Sequence, residues 1–217
     1  QGRALRDLAV LFRAAYHSYK LELELTRQGI PYVKYGGFKF MESAHIKDFL
    51  AHLRAIVNRD DAVSWGRILR LVKNVGHGKS QAIFKWMKTS GAPPDQVGSW
   101  PGQTQKDSGL KTLSQVISSL MSHETDPRGA VERLLEYYLP ILRDQFDDYP
   151  RRQREIEQLI PMAGRYRRLR GFIDDLVLEP PTSPADMDPD RKTDVLTLST
   201  VHSAKGLEWP FVYIIWL

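Results

Sequence analysis

The chain of 217 residues is 42% apolar and 26% charged, an ordinary globular composition that excludes a wholly disordered or fibrous protein. It contains no cysteine, which removes disulfides, thiol nucleophiles, zinc ribbons and iron–sulfur ligation together. A formal charge of +5 and a pI near 9.4 permit an anionic partner, and the longest apolar stretch, Trp209–Leu217, is too short for a membrane span, so a soluble protein with no membrane partner is expected.

Asp7–Phe12 is a short apolar run of the kind buried on both faces of a parallel sheet. Leu21–Leu25 alternates Leu with Glu, yet it consists of helix formers and lacks a β-branched residue before Thr26, so it reads as a helix. Gly29 stops that helix, and Pro31–Tyr35, closed by Gly36-Gly37, returns to extended structure, giving a β–α–β opening. From Glu42 the period changes. Ile46, Phe49, Leu50, Leu53, Ile56 and Val57 fall on one helical face.

Asp60-Asp61 can cap a further helix running to about Val72, with Ile68, Leu69 and Val72 inward, and Gly76-His77-Gly78 turns the chain into a helix starting near Lys79. Ser90–Ser108, rich in Gly, Pro, Ser, Gln and Asp, reads as a long mobile loop. Helical stretches are then expected over Leu110–Ser122, over Arg128–Phe146 with a break near Pro140, and over Pro150–Leu176. Glu179–Asp190 has linker composition, and Asp194–Ser199 and Phe211–Trp216 are again apolar runs of buried parallel-strand type. The economical fold is α/β, a partial parallel sheet of about four strands drawn from both chain ends, with a large all-helical insertion. Its boundaries are taken as 1–39 with 191–217 for the sheet domain and 40–190 for the insertion. The start at Gln1 without methionine and the apolar end at Leu217 are those of a piece of a longer protein.

Chemistry concentrates in Thr197–Pro210, where a strand rich in Ser and Thr is followed by His202, Ser203, Lys205, Gly206 and Glu208 in a turn. The end of a parallel strand is where open α/β sheets bind ligands, so this is either a binding loop or an ordinary connection. Arginine is concentrated too. Seven arginines face two glutamates within Arg151–Arg170, a net +5 that is either an electrostatic footprint or a solvated helix face.

The string Thr200-Val201-His202-Ser203-Ala204-Lys205-Gly206-Leu207-Glu208 resembles motif V of superfamily 1 DNA helicases of the UvrD, Rep and PcrA type. Leu11-Phe12-Arg13 resembles their motif IV, and Gly36-Gly37-Phe38-Lys39-Phe40 followed by Ile46-Lys47-Asp48 resembles the block that comes next. The resemblance implies a truncated second RecA-like motor domain carrying an inserted helical domain, in the C-terminal half of an ATP-dependent 3′–5′ DNA helicase. It assigns Phe12 to stacking on adenine, with a strand-end core residue as the alternative. Arg13 would reach the terminal phosphate of ATP as the catalytic arginine, or else form a surface ion pair. Glu208 would bond the ribose, and Thr200, His202 and Lys205, with Gly36, Gly37 and Lys39, would contact single-stranded DNA; His202 can also be a plain loop histidine.

Gly76-His77-Gly78 resembles the hairpin of a helix–hairpin–helix element, with Lys73, Lys79 and Ser80 assisting at a duplex phosphate, although the family usually has an apolar residue where His77 stands. A plain helix–helix turn is the alternative. Gly78-Lys79-Ser80 also mimics the end of a P-loop, but the required earlier glycine falls on Lys73, and Leu169–Asp175 lacks the apolar run before a Walker B acid. ATP and Mg²⁺ are therefore implied for the complete protein and not for this chain, which is expected not to hydrolyse ATP. No metal site is expected either, since His123-Glu124 is followed by Pro127 where a second histidine would be needed. Trp65, Trp86 and Trp100 are read as core rather than base-stacking residues.

The implied partners are single-stranded DNA, single/double-strand junctions, an N-terminal motor domain in the same protein and repair proteins, in the cytoplasm and on the nucleoid of a bacterium. Two other readings stay open: the helicase half of a nuclease-linked recombination enzyme, and a DNA- or protein-binding module with no motor role.

Overall fold

The computed structural model describes residues 3–35, 40–104, 108–177 and 194–215. The chain divides into two compact units, Gln1–Ser43 with Asp174–Leu217, and Ala44–Ile173.

The first unit is built on a four-stranded, all-parallel sheet of β1 (Leu8–Phe12), β2 (Tyr32–Tyr35), β3 (Leu196–Thr200) and β4 (Phe211–Ile215), in the order β2-β3-β1-β4. This is the α/β fold with a sheet from both chain ends that the sequence leads one to expect. Strand β3 lies between the two early strands, pairing Ala9 with Thr197 and Phe12 with Thr200 on one side and Tyr32 with Leu196 on the other. Between β1 and β2 runs α1 (Tyr19–Arg27), ended by Gly29 at φ 65°, a conformation open to glycine and costly for a residue with a Cβ. Val10, Phe12, Leu25, Tyr32, Leu196 and Leu198 form the core of this unit.

Inside it, Glu22 of α1 is buried and receives three donors. Lys34 Nζ approaches its Oε1 to 2.5 Å, Ser18 Oγ donates to the same oxygen at 2.6 Å, and the Phe40 N–H donates to Oε2 at 3.2 Å. A buried carboxylate is tolerable only with such partners. Strand β4 departs from the expectation of a buried strand. It is an edge strand, and Val212, Tyr213 and Ile214 are 45%, 58% and 54% exposed. Its composition is that of an interior strand, but at the edge only its ends are packed, Phe211 under the Arg3 guanidinium at 3.7 Å and Ile215 against the core.

The second unit is helical. Helix α2 (Ala44–Val57) touches α3 (Ala62–Leu71), α5 (Ser108–Ser122), α6 (Pro127–Gln145) and α7 (Tyr149–Glu157); of its expected face Ile46, Phe49, Leu50 and Leu53 are fully buried, and Ile56 and Val57 half-buried. Because helices surround it, His45, Asp48 and His52 are buried as well. Asp61 caps α3, accepting from the Ser64 N–H at 3.0 Å and the Ser64 hydroxyl at 2.6 Å. Trp65 is wholly buried with its indole N–H on the Arg59 carbonyl at 3.1 Å, and Trp86 and Trp100, partly buried, pack against the same core.

Three expectations are corrected here. Ser90–Ser108 is not simply a loose loop: α4 (His77–Ser90) is followed by a 3-10 turn over Pro94–Ser99 that buries Val97 and seats Gly98 on α5, where a Cβ would stand 3.1 Å from the Leu110 carbonyl. Helix α6 passes through Pro140 without a break; Pro140 and Glu136, whose carbonyl loses its N–H partner, both lie on the exposed side, where water can serve. The Pro150–Leu176 stretch is three helices, α7, α8 (Leu159–Ala163) and α9 (Leu169–Val177), separated after Ala163 by a turn containing Gly164.

Candidate nucleotide and nucleic-acid interface

The sheet determines where the first group of candidates lies. Phe12 and Thr200 are register partners at the carboxyl ends of β1 and β3, and the Val201 N–H donates to the Phe12 carbonyl at 3.0 Å. Arg13 and the Thr200–Glu208 segment therefore leave adjacent strands at one sheet end, the end that open parallel sheets offer to ligands. Arg13 is exposed. Phe12 is not: its ring is fully buried in the core beneath, with the Lys34 ammonium 5.7 Å from its centroid. This placement is that of the strand-end core alternative, whereas stacking on adenine needs an accessible ring face.

The loop after β3 is wound tightly by its own side chains. Thr200 Oγ1 accepts the Ser203 N–H at 3.2 Å and donates to Ser203 Oγ at 2.8 Å, while the Ala204 N–H reaches the Thr200 carbonyl at 3.0 Å. The Leu207 N–H closes on the Ala204 carbonyl at 3.0 Å, with Gly206 at φ 84° between them. This arrangement presents His202, Lys205 and Glu208 to solvent, Glu208 on the segment leading into β4, and buries Ala204 as the anchor. Ser203, named in the sequence only as a member of the turn, proves to be the residue that closes it. Its signal was the spacing of Thr200 and Ser203, three apart, which lets one hydroxyl cap the turn. Gly36, Gly37 and Lys39 lie outside the described residues.

Gly76, His77, Gly78, Lys79 and Ser80 belong to the other unit. They open α4, with Gly76 as the N-cap and no side chain capping the helix. Gly76, His77 and Gly78 are exposed, so their backbone faces solvent where the helix dipole is positive. Ser80 is buried, and its hydroxyl donates to the His77 carbonyl at 2.8 Å, which braces the turn from inside.

A four-stranded parallel sheet assembled from both chain ends carries an arginine and a His/Lys/Glu loop at its carboxyl end, and residues 1–92 match the UvrD-like helicase C-terminal domain. Over nearly its whole length the chain is similar to PcrA-type DNA helicases. It is similar to the ATP-dependent DNA helicase PcrA of Bacillus subtilis (strain 168), 27% identical over 233 residues that cover 99% of this chain and 32% of the relative. PcrA of Staphylococcus aureus (strain Mu50) is 28% identical over 234 residues, 98% of this chain and 31% of its own length, and PcrA of Staphylococcus epidermidis (strain RP62A) is 27% identical with the same coverage. The chain spans about a third of the length of the curated relatives it matches.

Proposed function

We propose that this chain supplies one wall of the nucleotide cleft and part of the DNA track of an ATP-dependent 3′–5′ DNA helicase. The observation that carries the reading is the pairing of Phe12 with Thr200, which gives Arg13 and the Thr200–Lys205 turn a common strand end. In this reading Arg13 meets the terminal phosphate, Glu208 the ribose, and Thr200, His202, Lys205, Gly36, Gly37 and Lys39 the single strand. The exposed backbone of Gly76–Gly78, with Lys79, meets a duplex phosphate, and residues 40–190 form the inserted domain.

ATP with Mg²⁺, when bound in the complete protein, supplies the free energy of phosphoryl hydrolysis. The residues present fit only one side of that site. Arg13 offers a guanidinium fork to developing phosphate charge, whereas the Lys73–Ser80 segment lacks the glycine a P-loop needs. Hydrolysis then depends on a phosphate-binding half elsewhere in the protein. A cytoplasmic, nucleoid-associated site of action and repair partners belong to the same reading.

The test is to titrate the purified chain into labelled single-stranded DNA and a 3′-tailed duplex across a salt series while recording ATP hydrolysis. Salt-sensitive binding without hydrolysis is expected, and hydrolysis by the chain alone overturns the assignment. In the longer protein, Arg13→Ala is expected to lower DNA-stimulated hydrolysis by about 10³-fold with ATP binding retained.

A further inference from the structure

The structure sorts the arginines of Arg151–Arg170 into two sets. Arg151 and Arg152 both bond Asp148, at 2.5 and 2.6 Å, and hold its carboxyl down at about 2, chiefly through Arg152. Arg152 also donates to His45 Nδ1 at 2.9 Å and lies 4.1 Å over the Phe146 ring. Arg154 bonds the Pro150 carbonyl at 3.2 Å, and Arg170 the Val57 carbonyl at 2.8 Å. These four are used internally. Arg165, Arg167 and Arg168 are exposed and form no ion pair among the described residues.

The three stand within four residues on a turn that is fixed at both ends. The Arg165 N–H bonds the Met162 carbonyl and the Tyr166 N–H the Ala163 carbonyl, each at 3.0 Å, while the Leu169 N–H reaches back to the Glu124 carbonyl at 2.8 Å. Tyr166 rests against the buried Phe172 with centroids 5.5 Å apart. The Arg128 side chain passes the turn, its Cδ lying 3.7 Å from where a Cβ on Gly164 would stand, and shares its charge with Glu132 at 2.9 Å. Holding three cations together costs repulsion, and no contact within the turn uses them.

We propose that Arg165, Arg167 and Arg168 form a contact for the backbone phosphates of duplex DNA, separate from the Gly76–Lys79 turn. The inference rests on the reading of the chain as a DNA-tracking protein and adds a surface to it. Guanidinium forks match phosphate oxygens. Tyr166, the one aromatic residue of the turn, is half-buried against Phe172, so the chemistry the turn presents outward is that of its three guanidinium groups, which suits phosphates. Its apolar side chains, Leu169 and Phe172, are buried, which leaves no apolar centre for an acidic protein to dock on.

The experiment measures anisotropy of a labelled blunt duplex and of labelled oligothymidine against the unaltered chain, the Arg165→Gln/Arg167→Gln/Arg168→Gln variant, the corresponding triple Lys variant and Arg133→Gln, across a potassium chloride series. Three lost phosphate contacts are expected to lower the slope of log affinity against log salt by about 3 and to weaken duplex binding at low salt by about tenfold or more. Oligothymidine is expected to lose less, the Lys variant to keep most of the slope, and Arg133→Gln to change nothing. Thermal melts report whether the triple variant folds. If it does not, Arg167→Gln alone is expected to lower the slope by about 1. A folded Gln variant that binds the duplex with unchanged affinity and slope overturns the proposal and leaves the helicase reading standing. An unaltered chain that binds no DNA at low salt overturns both.

Discussion

Glu22 and Lys34 meet as a buried ion pair, 2.5 Å apart, one on α1 and the other on β2. Lys34→Met leaves the carboxylate, among the described residues, with the Ser18 hydroxyl and the Phe40 N–H, and is expected to cost about 3–5 kcal/mol, because an unmatched buried charge is worse than none. Adding Glu22→Gln is expected to recover at least half of the loss. Urea titration followed by circular dichroism measures both, and a neutral Lys34→Met shows that the pair contributes nothing.

His52 sets a pH dependence of stability. Burial lowers its pKa from 6.5 to about 4, against hydrogen bonds to the Asp48 and Phe49 backbone that raise it, and Nε2 has no hydrogen-bond partner among the described residues. The unfolded chain takes up this proton as pH falls through 6.5, whereas the folded chain resists until about 4. Stability is therefore complete above pH 6.5, declines between 6.5 and about 4, and levels off below, a contribution of about 3 kcal/mol. His52→Phe keeps the edge contacts with Tyr137 and Tyr138 and removes the titration. The difference between the two stability–pH curves is expected to follow this window, and parallel curves would rule the assignment out.

Gly206 has φ 84° with open space where a Cβ would be, so substitution costs backbone strain alone. Gly206→Ala is expected to destabilise by about 1–2 kcal/mol and Gly206→Asn by less, since asparagine tolerates left-handed backbone better. Equal losses for the two in thermal melts would argue against a left-handed Gly206.

Asp61 supplies both the backbone and the hydroxyl of Ser64 with an acceptor. Asp61→Ala is expected to cost about 1 kcal/mol, and Asp61→Asn only a few tenths. Denaturant midpoints of the two variants separate a lost cap from a lost charge.

Much of this was legible in the chain because period and punctuation agree. The i, i+3, i+4 spacing from Ile46 to Leu53, the Asp61 cap and the Gly29-x-Pro31 stop each have one local solution, and the motif string Thr200–Glu208 announces a strand-end loop. What was hidden depends on partners distant in sequence. Phe12 reads equally as a stacking ring or a core ring until Leu196 and Leu198 close over it. Val97 is buried because Gly98 fits against α5, and β4 is exposed because it takes the edge. Composition records neither. The arginines of 151–170 are one run in sequence and two populations in space, since only the fold brings Asp148, His45 and Val57 to some of them.

The strand order has a consequence for synthesis. β1 and β2 are made first, yet neither pairs with the other; each waits for β3, and β1 also for β4. Until β3 is made, β1 and β2 lack the neighbour they share in this sheet, while the helical unit, rich in local contacts, can fold as it appears. The sheet is then completed last. A pause or cleavage anywhere before Leu196 leaves a folded helical body trailing an unpaired apolar tail, so Val10, Phe12 and Tyr32 stay open to capture by chaperones until translation has passed β3.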